Sequence, residues 1–116
     1  LKAHKTKDVV IKVGKVDEGI APVVNWLNSF DSIFTFYSCE GDFEKNGNAM
    51  KYHPEHSIKK VAYVLFHCSI PLDLIKVCSA LGSYGQVIVD YYNGSLRYKI
   101  EFDNKQNLTN FIKEQK

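Results

Sequence analysis

The chain reads as an α+β domain with a ferredoxin-like βαββαβ core, extended by a C-terminal hairpin strand and helix. Three observations predict this. Short runs rich in β-branched and aromatic residues alternate with segments whose apolar residues recur at helical spacing. Between two of the strand-like runs stands an Asn-Gly pair, Asn93 and Gly94, which tolerates the positive φ of a two-residue hairpin turn. The order of segments is then β-α-β, a long polar loop, and β-α-β-β-α.

Asp8 to Val13 is a β-branched run and is expected to form the first strand. Asp17 is the expected cap of a helix in which Ile20, Val23, Val24, Leu27 and Phe30 share a face, with Pro22 tolerated in the first turn. Ile33 to Cys39 follows as a strand with aromatics on both faces, and Gly41 to Ser57 as a polar loop. Val61 to Cys68 is the most continuously apolar run and is expected to be a central strand. Pro71 opens a second helix, whose buried side is expected to carry Leu72, Leu74, Ile75, Val77, Cys78 and Leu81 before Gly82 or Gly85 ends it. The Asn-Gly turn sets Tyr92 against Ser95, Tyr91 against Leu96, Asp90 against Arg97 and Val89 against Tyr98. Val87, Val89, Tyr91, Leu96, Tyr98 and Ile100 then form the expected core face, opposite a wet face of Ile88, Asp90, Tyr92, Arg97, Lys99 and Glu101. Asp103 or Asn104 caps a last helix that packs through Leu108, Phe111 and Ile112.

At 116 residues the chain is expected to be one domain over its whole length, 1–116. Its 45% apolar and 24% charged residues are those of a globular chain and exclude a disordered tail or a collagen-like repeat. A net charge of +2, carried almost wholly by Lys with Arg97 the only arginine, weighs against a nucleic-acid reader. Three cysteines without a C-x-x-C pair, a secretion signal or a membrane span point to free thiols in the cytoplasm and to no membrane partner. Leu1 at the start in place of Met points to a trimmed or incomplete amino terminus.

Chemistry concentrates at Thr35-Phe36-Tyr37-Ser38-Cys39-Glu40-Gly41-Asp42, where an aromatic strand ends in small and polar residues. A nucleophilic Cys39 needs a base, which His53 or His56 on the returning loop can supply; Glu40 and Asp42 oppose this by raising the thiol pKa. Cys39, His53, His56, His67 and Cys68 are of zinc-ligating types, but antiparallel pairing of the two strands puts His67 and Cys68 at the far end from Cys39. Tyr92, Arg97 and Lys99, with Tyr37 and Tyr63, form an aromatic and cationic sheet face of the kind on which bases stack, without the RNA-recognition signature. Gly41 permits either a sharp turn or close backbone approach of a ligand, and no phosphate-loop pattern surrounds it.

The run Val24-Asn25-Trp26-Leu27-Asn28-Ser29, followed by the strand into Ser38-Cys39-Glu40-Gly41, is similar to the wybutosine-synthesis methyltransferase family that acts on tRNA. Ser38, Cys39 and Gly41 match that family's Ser-Cys-x-Gly stretch, while Asp42 stands where the family has Arg. The Ser-Cys-Glu-Gly turn with the Tyr63-Val64-Leu65-Phe66 strand also resembles small uncharacterised phage-type proteins. The first resemblance implies an RNA-modifying enzyme.

The residues themselves support a ligand-binding domain. A small-molecule or nucleotide-like ligand is expected beside the turn, against Tyr37, Ser38, Cys39, Glu40, Gly41 and Tyr63, with the 42–57 loop closing over it. No cofactor is identified by any motif. A third reading is an interaction module that pairs through its sheet face, including with a second copy; it requires an exposed apolar patch around Ile88 and Tyr92.

Overall fold

Residues 6–8, 15–55 and 57–115 are described in a computed structural model of the chain. Two short strands, β1 (Thr6–Asp8) and β2 (Lys15–Asp17), pair antiparallel as a small sheet of their own. Of the strand expected at Asp8 to Val13, only Asp8 falls among the described residues. Helix α1 (Ala21–Asn28) begins at Ile20, which offers no side-chain cap; Asp17, the expected cap, belongs instead to β2. The apolar spacing of α1 is used as expected, with Ile20, Val23, Val24 and Leu27 buried and Phe30 packed just beyond its end.

Strand β3 (Ile33–Cys39) is tied to α1 by a buried pair, since Asn28 Nδ2 donates to Thr35 Oγ1 at 2.8 Å. Strand β4 (Ala62–Cys68) and helix α2 (Pro71–Leu81) follow. Gly82, with φ +53°, ends α2 and donates its N–H to the Cys78 carbonyl. Strands β5 (Gln86–Tyr92) and β6 (Ser95–Phe102) form the Asn-Gly hairpin in the expected register, with φ +50° at Asn93 and +79° at Gly94. Helix α3 (Lys105–Glu114) is capped by Asn104, whose side chain accepts the N–H groups of Gln106 and Asn107.

These strands make one four-stranded antiparallel sheet in the order β3-β4-β6-β5. The expected ferredoxin-like arrangement reserves the place between β4 and β5 for an N-terminal strand, but β6 holds it. Side-chain size gives the reason. Phe102 lies opposite Ala62 and Ile100 opposite Val64, so large residues of β6 meet small ones of β4, and all four are fully buried. Both β4 and β5 are antiparallel to β6 and thus parallel to each other, joined by α2 as a split β-α-β unit.

All three helices contribute to the core on one face of this sheet. Tyr63, Leu65, Arg97 and Lys99 alternate with the buried strand positions and so face the other way. Among the described residues no helix is long and apolar enough to cross a membrane.

Two expectations about the core are corrected. On α2, Val77 and Leu81 are buried and Leu74 is partly so, but Leu72, Ile75 and Cys78 are exposed. On the hairpin, Ile100 is buried and Val87 and Tyr98 pack against the core, while Val89, Tyr91 and Leu96 are exposed. The hairpin reaches past the helical layer, so its distal third has nothing to bury against.

Candidate functional site

The strand register sorts the expected site residues by face. Tyr37 pairs with Leu65, Leu65 with Lys99, and Lys99 with Ile88, a row that crosses all four strands. A second row holds Cys39, Tyr63, Glu101 and Gln86. Cross-strand partners share a face, so Tyr37, Cys39 and Tyr63 come together on the uncovered side. Ser38 pairs with Val64 and therefore points to the helical side.

Glu40 and Gly41 serve the fold locally. The Glu40 carboxylate accepts the Gly19 N–H at 2.8 Å, and Asp17 Oδ2 accepts the Glu40 N–H at 3.0 Å, so the turn is laced to the start of α1. Gly41 has φ +75°, and a Cβ there would meet the Ala62 nitrogen at 2.7 Å and the Lys60 oxygen at 2.8 Å. The close approach that its glycine permits is to the returning chain.

The polar loop hydrogen-bonds to its own two arms and to α3. Met50 donates to the Asp42 carbonyl, Lys60 to that of Met50, and Ala49 to that of Asp103. Asn104 Nδ2 donates to Asn48 Oδ1 at 3.0 Å, beside the α3 cap. His53 is exposed on this loop, and His56 lies outside the described residues.

Burial pushes the Cys39 thiol above its ordinary range; the Gly41 N–H opposes this, while Asp17, Asp42 and Glu40 push further upward. That is the reverse of what activates a nucleophile. Cys68 pairs with Ile33, so the two thiols stand at opposite ends of the β3–β4 pair. Among the described residues no group of His, Cys, Asp and Glu is arranged to hold a metal.

The uncovered face carries an aromatic array. Tyr37 and Tyr63 stack with centroids 6.3 Å apart and planes 8° apart, and Lys99 Nζ lies 5.8 Å from the Tyr63 ring. Arg97 sits between Phe36 and Tyr92, at 5.9 and 4.6 Å from their centroids, and Phe36 stacks on His67. Both cations are paired: Arg97 Nε with Asp90 at 2.7 Å, and Lys99 with Glu101 at 3.2 Å. The face is thus aromatic and close to neutral. The sequence reading named Phe36 in the aromatic run but did not place it on this face, because a register shift between Thr35 and Tyr37 breaks the strand's alternation there.

Comparison with protein-family models, curated proteins and solved structures finds no match.

Burial is also the main reason that the Tyr63 phenol is raised to about 12, with Cys39, Tyr37, Tyr52 and Asp17 adding to it. Its folded pKa lies above the unfolded value of about 10, so folding favours the neutral phenol. The resulting stabilisation is present below about pH 10 and lost as pH rises from there through about 12. In a rapid alkaline jump, read by tyrosinate absorbance, the last step should vanish in Tyr63→Phe. A variant that loses an earlier step instead would refute this environment for Tyr63.

Proposed function

We propose that the protein is an interaction module that pairs with a second copy of itself through the free edge of β5. The observation that supports this best is the character of that edge. Among the described residues β5 is an outer strand of seven residues, Gln-Val-Ile-Val-Asp-Tyr-Tyr, unbroken in register against β6 and without Pro or Lys. Long, flat, apolar edges are templates for another strand, and proteins that stay monomeric blunt them. The opposite edge, β3, is blunted: it carries a register shift and has β2 packed near it.

The surface beside β5 fits the same role. Val89, Tyr91 and Leu96 are 61%, 68% and 54% exposed, and Leu72 and Ile75 on the adjoining α2 are each 59% exposed. Ile88 and Tyr92, around which a patch was expected, are 38% and 57% exposed on the other face of the same strand. Two copies of β5 running antiparallel about Val89 would set Ile88 against Asp90 and Val87 against Tyr91. No like charges then face each other, and Asp90 keeps its Arg97 partner. Sedimentation equilibrium should give twice the 13.3 kDa chain mass at micromolar concentration. A monomer at about 100 µM, weaker than a specific dimer of this kind should be, would remove the proposal.

A second reading is favoured by the Tyr37–Tyr63 stack: a nucleotide-like ligand laid on the uncovered face. A cavity of about 510 Å³ is lined there by Tyr63, Leu65, Ile88, Arg97 and Lys99, among others. Base–aromatic stacking contributes about 1–3 kcal/mol. On this reading Tyr63→Ala weakens binding of a mononucleotide at least tenfold by calorimetry and leaves the sedimenting mass unchanged. Wild-type protein that takes up no nucleotide would exclude it.

A further inference from the structure

We infer that the ligand of the uncovered face is an uncharged nucleoside, to which a phosphate adds no affinity; this rests on the nucleotide-like reading given above. The charges of the site carry the distinction. The cavity over β4, β6 and β5 is lined by Tyr63, Leu65 and Ile88, and by the charged side chains of Asp90, Arg97 and Lys99, among others. Arg97 donates from Nε to Asp90 at 2.7 Å and lies between the rings of Tyr92 and Phe36. That hydrogen bond holds the Asp90 carboxyl below its ordinary range. Lys99 Nζ is 3.2 Å from Glu101, so the two cations and two carboxylates cancel. A phosphate drawn to Arg97 would meet the Asp90 carboxylate beside it, a like charge that offsets the attraction.

What the face offers instead is aromatic area and hydrogen-bond acceptors. The parallel rings of Tyr37 and Tyr63 form a platform on which a base can stack. Asp90 accepts N–H groups from Arg97 and Tyr91, which leaves room in the set of about four bonds that a carboxylate can accept. Its side chain is 45% exposed, so the remaining sites can be reached from solvent. They suit the N–H groups of a base and the O–H groups of a ribose, whereas an ionised phosphate brings further acceptors. Pairing at the β5 edge would extend the sheet in its own plane and leave this face open.

The full chain is titrated by calorimetry with adenosine, guanosine, cytidine and uridine, each beside its 5′-monophosphate, at about 20 and 150 mM salt. At least one nucleoside should bind, with its monophosphate within about threefold of it at both salts. A monophosphate whose affinity departs further than that would overturn the assignment and leave the nucleotide-like reading standing. Uptake of neither form would remove both. Asp90→Asn supplies the converse, because it leaves the Arg97 charge uncompensated. In that variant the monophosphate should bind about tenfold more tightly than its nucleoside at the lower salt, or about 1.4 kcal/mol. A variant in which the two stay equal would place the ligand away from Arg97 and refute the assignment.

Discussion

Replacing Gly41 by alanine is expected to destabilise the protein by about 3 kcal/mol or more, roughly three times the cost of the same change at Gly94. The two glycines have nearly the same backbone angle, φ +75° and +79°. An alanine at either must adopt the left-handed region, which costs about 1–2 kcal/mol. Their surroundings differ. At Gly94 the nearest atom to a new Cβ is the mobile Tyr91 hydroxyl at 3.9 Å. At Gly41 three backbone atoms of residues 60–62 lie within 2.9 Å, and they belong to the chain entering β4. That chain cannot yield without pulling on the Asp42 N–H to Lys60 carbonyl bond at 3.0 Å. Urea midpoints of the two variants measure the difference. Equal losses would mean that the turn tolerates a side chain, and the space beside Gly41 would again be open to a ligand.

The second large effect is expected on association. Val89→Lys should weaken self-pairing at least 100-fold, about 2.8 kcal/mol, in sedimentation or dilution experiments. At the midpoint of a two-fold antiparallel pair each residue faces its own copy, so one substitution sets two ammonium groups within cross-strand reach. Like charges so placed cost several kcal/mol, and lysine on an outer strand is itself a common device against edge pairing. Val89 is 61% exposed, so the single chain should lose no more than about 0.5 kcal/mol, which a thermal melt can verify. A Val89→Lys protein that remains a dimer with unchanged affinity would place the interface elsewhere.

What the sequence disclosed and what it hid divide along local and distant causes. The Asn93-Gly94 turn needs only the φ preferences of two residues, and every partner expected across it is found. The cap at Asn104 is similarly local. The sheet order is not, because it depends on Phe102 meeting Ala62 across a long separation in the chain. Helix α2 shows the same limit. Leu72, Ile75 and Cys78 have helical spacing as regular as Leu74, Val77 and Leu81, and only the position of the sheet selects one face as core. At the Ser38 to Gly41 turn the residue types suggested chemistry, yet Glu40 holds the backbone of Gly19, just before α1, and Gly41 lies against residues 60–62 at the entry to β4.

The place of β6 in the sheet has a consequence for how the chain assembles. The middle of the sheet is its last strand in sequence, so β4 and β5 share no hydrogen-bonded partner until residues 95–102 have been made. Without β6, only the β3–β4 pair of this sheet can form, and β5 has no partner. The tight turn then lets β5 and β6 zip together quickly as a unit, and their insertion beside β4 is the one long-range step. The sheet therefore closes only when β6 takes its place between β4 and β5. A chain halted after Tyr92 would leave unpaired the inner edge of β4 and both edges of β5.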